Sequence, residues 1–440
     1  MGNSKNITLN SYEKKALLRD AILARKVEIL EIEGRSDDSE KCLREMLSCA
    51  KIHKQKDFLI RTLIYSSLFY FRKDDYKLNY SFAMKAFKLS QVNKNKYFEA
   101  MSLMLIGDSY YLSSSFNKAI FWYNKAEKIL THSKWDKLKF ELLLSYTNIY
   151  NRTGQMKKSI EGYLKCIDIS KRLGKKTTMI VSYNNLAMQY MSMQEYSKAL
   201  KYLNKSFEIA EKIKYTSVMC TILNNLGLIY FNLGDYNSAK RFLKDSITVA
   251  KNVQSILDMI LSLGNLAITY SAIGEYQKAF DNILKATGIL RDTVKNPYYL
   301  CYGNAYYSLI LNQSGRIKES IITADEVINS SENLQNYSAL VLSCIVNANN
   351  YFELNNFDKA HEYSQKGIQY LSYCQEISSE DLYLIHSKIL NALNKQKESK
   401  EFLLLARKIV TKKQSGIKNN KKLLNYFLQK QVNRDILFKK

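Results

Sequence analysis

Between residues 180 and 290 one pattern of apolar and polar positions occurs three times. Asn184–Tyr190 reads Asn-Asn-Leu-Ala-Met-Gln-Tyr, Asn224–Tyr230 reads Asn-Asn-Leu-Gly-Leu-Ile-Tyr, and Gly264–Tyr270 reads Gly-Asn-Leu-Ala-Ile-Thr-Tyr, at an offset of 40 residues. Leu186, Tyr190 and Met193 fall three and four apart, the stripe of one helix face. After a loop a second stripe follows at Ala199, Leu203 and Phe207, matched in the next copy by Ala239, Leu243 and Ile247. The pattern predicts a helix, a tight turn and a second helix, packed closely where the small residues Ala187 and Ala199 meet.

The same register extends to Gly107, Thr147, Ala187, Gly227, Ala267, Ser308 and Ala348, with weaker matches at Ser67, Ser387 and Val27. Seven residues after the small position stand Gly154, Gly234, Gly274 and Gly315, where a helix C-terminus favours a residue that accepts positive φ. A slip of one residue between Ala267 and Ser308 coincides with the lone proline, Pro297, so that connection is expected to absorb the insertion. One hairpin cannot bury both its faces. Stacking on neighbours completes the core, which makes the chain a quasi-one-dimensional solenoid.

Composition narrows this further. With 46% hydrophobic residues the 440-residue chain has material for a large core, and with 15 glycines and one proline it lacks the turn-formers of an all-β fold or a glycine-rich phosphate loop. The polar start, Met1–Asn6, leads to no apolar run of signal-peptide type, Asn6 departs from the Ser or Thr of a myristoylation signal, and no uncharged stretch is long enough for a transmembrane helix. The seven cysteines (Cys42, Cys49, Cys166, Cys220, Cys301, Cys344 and Cys374) are scattered, and none forms a Cys-x-x-Cys pair. They read as buried thiols in a reducing cytoplasm. His53, His132, His361 and His386 have no partner at helical metal-ligand spacing, so neither a metal nor a cofactor is expected. Asp37-Asp38 and Asp74-Asp75 sit at predicted helix starts, where carboxylates stabilise free N–H groups. No nucleophile-plus-base constellation is present, and the expectation is a non-enzyme.

At these residues the pattern resembles the tetratricopeptide repeat: a small residue, Tyr three later, Gly-Asp/Glu-Tyr, and Ala twelve after the first small residue. The resemblance covers residues 60–410. The usual unit is 34 residues with a closing proline, whereas this one is 40 without it. That is similar to the long-helix type of kinesin light chains, cell-polarity scaffolds and bacterial peptide-sensing regulators of the Rap and PlcR kind. The resemblance implies an all-α, right-handed superhelical solenoid of about nine or ten hairpins, whose first helices line a concave peptide-binding groove. No helix-turn-helix unit precedes Ser67, so the resemblance is to members that lack a DNA-binding domain. The expected organisation is a helical cap or degenerate repeat over 1–59, the solenoid over 60–411, and a basic capping helix and tail over 412–440.

By that analogy the groove carries a ladder of amides. Asn185, Asn225 and Asn265 share one position, Asn184 and Asn224 lie beside it, and Asn148 and Asn349 occupy a third. Each side chain offers a donor and an acceptor, suited to the N–H and C=O groups of an extended segment. The same amides could instead satisfy the adjacent helix and order the stack, and sequence leaves both readings open. Tyr306, with Tyr302, and the apolar set Tyr65, Leu68, Phe71, Met101, Met104 and Tyr111 are open to partner contact or to internal packing. Lysine is absent from the positions where a chaperone-type carboxylate clamp carries it.

The net charge is +25, with none over residues 1–50, +8 over 51–98, +9 over 99–411 and +8 over 412–440. Lys118, Lys158, Lys198, Lys278 and Lys359 recur beside the second small residue and read as solvated surface lysines. The expected partner is a protein or peptide segment held in the groove by a cytosolic scaffold or peptide sensor, with no oligomeric state implied. The alternative is a basic helical-repeat protein that binds nucleic acid; a tail on anionic lipid ranks third.

Overall fold

Helices of 17 residues joined by three-residue turns set the rhythm of the chain, as in Tyr76–Val92, Lys96–Leu112, Asp136–Arg152 and Met156–Arg172. The computed structural model describes residues 22, 23, 25–27, 29, 30, 35–52, 56–374 and 379–438, among which every regular element is helical. Met1–Asn6, His53 and the last two lysines lie outside these residues, as does much of the expected cap over 1–59.

The turn explains the spacing. Left-handed residues recur every 20 positions at Asp74, Lys94 and Ser114, again from Gly154 through Gly174, Gln194, Lys214, Gly234 and Gln254 to Gly274, and then at Lys295, Gly315, Gln335 and Asn355. From Asp74 to Gln194, from Gly234 to Gly274 and from Gly315 to Asn355 each ends a helix in the same way, whereas at Lys295 the amide itself donates to the Leu290 carbonyl at 2.8 Å. At Lys94 the amide donates to the Gln91 carbonyl and the Asn95 amide to the Ser90 carbonyl, both at 3.0 Å, the paired bonds of a Schellman stop. Asn95 then caps the next helix, its side chain accepting from the Phe98 amide; Asp75, Asp235, Asn336 and Asn356 do the same elsewhere. The 40-residue unit is therefore two equal halves. The extra residue before Pro297 is absorbed one turn earlier than expected, in a π-helical turn over Leu290–Val294 at the end of Tyr276–Ile289. Lys295, Asn296 as cap and Pro297 at the first helical position then restore the register.

Small residues face each other at an offset of 12 throughout. Ala187 and Ala199, Ala267 and Ala279, and Ala348 and Ala360 are fully buried. Serines at three of these places bond across the hairpin, whereas the buried Ser159 hydroxyl, twelve after Thr147, has no hydrogen-bond partner among the described residues. The Ser320 hydroxyl donates to the Ser308 carbonyl at 2.9 Å, and Ser387 and Ser399 each donate to the other's carbonyl at 2.8 Å. The weak matches Ser67 and Val27 join the same series, through Ser67 to the Asn79 carbonyl (3.1 Å) and Ser39 to the Val27 carbonyl (3.3 Å).

The chain divides into two compact units. The first holds residues up to Leu186 with 212–217, and contains Ser36–Ile52, the hairpins Lys56–Arg72/Tyr76–Val92, Lys96–Leu112/Phe116–Leu130 and Asp136–Arg152/Met156–Arg172, and the start of Lys176–Ser192. Met104 belongs to its core, with Met101, Tyr111, Tyr110 and Trp122 packed against it, so this apolar set serves internal packing. The second unit holds 187–211 and 218–440, from Tyr196–Lys212 through Thr216–Asn232/Tyr236–Asn252 to Ser379–Ala392/Gln396–Ser415, ending in Lys421–Gln429 and Gln431–Phe438. Gln396–Ser415 runs unbroken through position 411.

Candidate functional site

In the first unit two tyrosines of second helices reach between neighbouring first helices. Both Tyr123 and Tyr163 are fully buried. The Tyr123 hydroxyl donates to Asp108 Oδ1 at 2.6 Å, and Ser145, from the next first helix, approaches the same oxygen at 3.4 Å. Forty residues on, the Tyr163 hydroxyl donates to Asn148 Oδ1 at 2.8 Å and accepts from the amides of Asn151 (3.4 Å) and Asn185 (3.3 Å). Asn184, buried beside it, donates to Asn185 Oδ1 at 3.4 Å. Asn148 and Asn185 remain half-exposed, and the Asn148 amide nitrogen makes no hydrogen bond among the described residues. Asp108 is hemmed in by protein while part of its surface still meets water. Burial pushes its carboxyl up to about 7, against the pull of the Tyr123 and Ser145 hydrogen bonds.

The second unit joins its first helices without the phenol. Asn265 donates to Asn224 Oδ1 at 2.9 Å, and the Ser262 hydroxyl approaches that oxygen at 3.3 Å. Asn224 and Asn225 are buried, Asn265 half-exposed. Further along, Tyr306 is half-exposed and shares a 3.0 Å hydroxyl contact with Tyr302, while Asn349 bonds back to the Ile345 carbonyl of its own helix at 2.8 Å. Sequence reasoning passed over a denser network nearby. Asn312 donates to Asn350 (2.8 Å) and Asn350 to Ser320 (2.9 Å), while Asn347 and the Tyr363 hydroxyl both donate to Asp325, at 2.8 and 2.7 Å. The signal was the asparagine run itself, since Asn347 and Asn350 flank Asn349.

Residues 141–212 and 218–292 match the sequence model of the tetratricopeptide repeat. Those two segments carry tetratricopeptide repeats. No curated protein matches the sequence. Among solved structures, a Rap protein in complex with competence and sporulation factor is 17% identical, aligned over 81% of this chain and 98% of its own, with a TM-score of 0.60. The apo quorum sensor NprR from B. thuringiensis is 16% identical, over 82% and 100%, with a TM-score of 0.59. Aspartyl phosphate phosphatase F from Bacillus subtilis is 19% identical, over 85% and 97%, with a TM-score of 0.56. At these identities the likeness is one of fold: an all-α tetratricopeptide solenoid.

Within the tetratricopeptide hairpins the recurring lysines are not simply solvated. Lys118, Lys158, Lys198, Lys278 and Lys359 lie 5.7, 5.3, 5.2, 5.6 and 5.1 Å from the ring centroids of Tyr110, Tyr150, Tyr190, Tyr270 and Tyr351, the repeat's own tyrosines. In two copies that ring also stacks against a second-helix tyrosine, Tyr190 on Tyr202 and Tyr351 on Tyr363, both at 5.4 Å. Cation and rings together form a cluster at the turn end of the hairpin.

The thiols of Cys166, Cys220 and Cys344 are pushed up to about 12 by burial, which leaves them protonated and poor nucleophiles. His361 and His386 stack at 5.3 Å, and burial, with the neighbouring His361 and Lys395 charges, lowers His386 to about 4, so both rings are neutral near pH 7. Among the described residues no group of three or more His, Cys, Asp or Glu side chains is placed to hold a metal ion, and no helix is long and apolar enough to cross a membrane.

Proposed function

We propose that this chain is a non-enzymatic cytosolic regulator that binds an extended peptide or protein segment along the face of its first helices and passes the event to a partner protein. The observation that supports it most is the row of half-exposed polar side chains on successive first helices of the first unit: Asp108, Ser145, Asn148 and Asn185. Tyr123 and Tyr163 hold these side chains from behind, so their geometry is fixed before a ligand arrives, which lowers the ordering cost of binding. Asn148 and Asn185, with Asn225 and Asn265 in the second unit, would grip the ligand backbone. Asn184, Asn224, Tyr306 and Asn349 would support or flank that contact. The solved Rap protein of the same fold is in complex with competence and sporulation factor, which is consistent with a ligand of this kind.

The test is an array of immobilised random heptapeptides probed with the full chain and with Asn148→Ala. Selective retention by the native chain, reduced at least tenfold by Asn148→Ala with an unchanged circular dichroism spectrum, is the expected result. Equal retention by both, or retention of every sequence alike, removes the reading. The nucleic-acid alternative draws on the +25 charge, to which the exposed lysines of the hairpin ladder contribute. A steep log-log salt dependence of binding to a double-stranded DNA column would favour that alternative instead.

A further inference from the structure

The C-terminal basic segment does more than cover the end of the stack. It caps the last hairpin, with Lys388 paired to Asp435 at 3.1 Å and the Arg407 guanidinium donating to the Ile436 carbonyl at 2.8 Å. It also touches turns about 200 residues earlier in the same unit. The Ser197 hydroxyl donates to the Gly416 carbonyl at 2.5 Å, and a Cβ on Gly416 would stand 3.0 Å from the Gln194 carbonyl oxygen. The Lys430 ammonium lies 3.4 Å from the Asn232 carbonyl and 5.5 Å from the Phe231 ring centroid. A Cβ on Gly234 would stand 2.7 Å from the Tyr426 carbonyl oxygen. Gly174, Gly274 and Gly315 end helices with the same left-handed φ but have open space around them. Gly234 therefore answers to a backbone contact as well as to its φ.

Between the two contact points the interface buries charge. Lys413 and Glu380 form an ion pair, each side chain under a tenth exposed, beside the buried Tyr196. Asp381 lies within electrostatic reach of Lys413, Lys430 and Glu380. Such a pair gains little over its desolvation. Two acceptors, Glu380 Oε2 and Gln194 Oε1, are buried with no donor among the described residues, a further cost that exposure to water would remove. The closed arrangement is thus made of contacts whose gains and costs lie close together, as a contact that opens and closes requires.

We propose that residues 413–430 form a releasable latch, which holds the second unit closed on its own turns at 194–197 and 231–234 and whose opening frees the inner face of that unit. The device is independent of which ligand the chain takes. Amide hydrogen exchange on the full chain tests it. Lys430→Glu places a carboxylate beside Asp381 and Glu380, and exchange at 194–197 and 231–236 should then rise together at least tenfold, while Lys430→Arg keeps the native rate and exchange in 96–130 is unchanged. A rise only in 421–438, or none, overturns the latch. For release in the native sequence, Ser197→Cys with Gly416→Cys in a Cys374→Ser background supplies a lock. If the latch opens, oxidation slows exchange at 231–236 at least threefold relative to the reduced protein. Equal rates in the two states mean a permanent contact and reject release.

Discussion

At Tyr123 and Tyr163 the second helix of a hairpin sends a phenol between neighbouring first helices; at Leu203, Leu243 and Ile283, the same position in the next three copies, it sends only hydrocarbon. The polar residues of the first helices respond accordingly. In the first unit Asp108, Asn148 and Asn185 share the two hydroxyls and Ser145 joins through Asp108, and in the second Asn265 and Ser262 turn to Asn224 directly. A recurring asparagine therefore has no fixed role. What the facing helix supplies decides how much of its hydrogen-bonding capacity is left for a ligand, which is why the Asn148 amide is a sharper candidate than the buried Asn224.

The largest consequence of the difference concerns the small position itself. A Cβ on Gly107 would meet the rigid Tyr123 ring at 2.3 Å, whereas one on Gly227 would meet the flexible end of Leu243 at 2.5 Å. Ala187 and Ala267 already occupy this position opposite Leu203 and Ile283. Gly107→Ala should therefore cost about 2 kcal/mol after its gain in helix propensity, the usual scale of overpacking. Gly227→Ala should be neutral or stabilising by up to about 1 kcal/mol. Urea denaturation of the two variants measures both, and equal costs would show that the tyrosine seam is no tighter than the aliphatic one.

The second test is electrostatic. Asp108 and Asn148 hold equivalent places against equivalent tyrosines, but the carboxyl at 108 is raised to about 7. The folded protein thus keeps a proton that the unfolded chain has already lost near pH 4, and the stability tied to it declines as pH rises from about 4 to 7. Asp108→Asn reproduces the next copy and carries no such dependence. Its advantage over the native chain should be nil at pH 4 and reach about 1 kcal/mol above pH 7, a value reduced from the full linkage because Asp108 still meets water. A pH-independent difference between the two would place the carboxylate in ordinary solvent and remove the crowding inferred for it.

The 40-residue period, the small-residue pairs and the glycine stops at 154, 234, 274 and 315 were legible because each repeats in register. The 20-residue half-period was not. Lys94, Ser114, Gln194 and Gln254 take the left-handed turn with ordinary side chains, a modest strain that the two Schellman bonds offset. The asparagines stood out by type, but nothing in the sequence singled out Tyr163, whose partners lie 12 to 22 residues away on other helices. The bonds from Ser197 to Gly416 and from Lys430 to Asn232 span 219 and 198 residues, beyond any local period. In the tail, expected as a basic capping helix, Lys413 is buried and Lys430 is half-buried within electrostatic reach of Asp381 and Glu380.

The smallest effect concerns the tyrosines that both units share. Unlike the seam phenols, Tyr351 lies at the turn end of its hairpin, with Tyr363 stacked on one face and the Lys359 ammonium 5.1 Å from its centroid. Replacing Lys359 by Met keeps the aliphatic stem and removes only the charge, so the loss should be about 0.5 kcal/mol, the scale of an exposed cation–π contact. A double-mutant cycle with Tyr351→Leu isolates that term from the lysine's other surroundings. Coupling near 0.5 kcal/mol, retained in 1 M salt better than an exposed ion pair would be, identifies the ladder as part of the hairpin's closure in either unit. Coupling of zero returns Lys359 to the solvated surface, and with it the charge that a nucleic-acid partner would need.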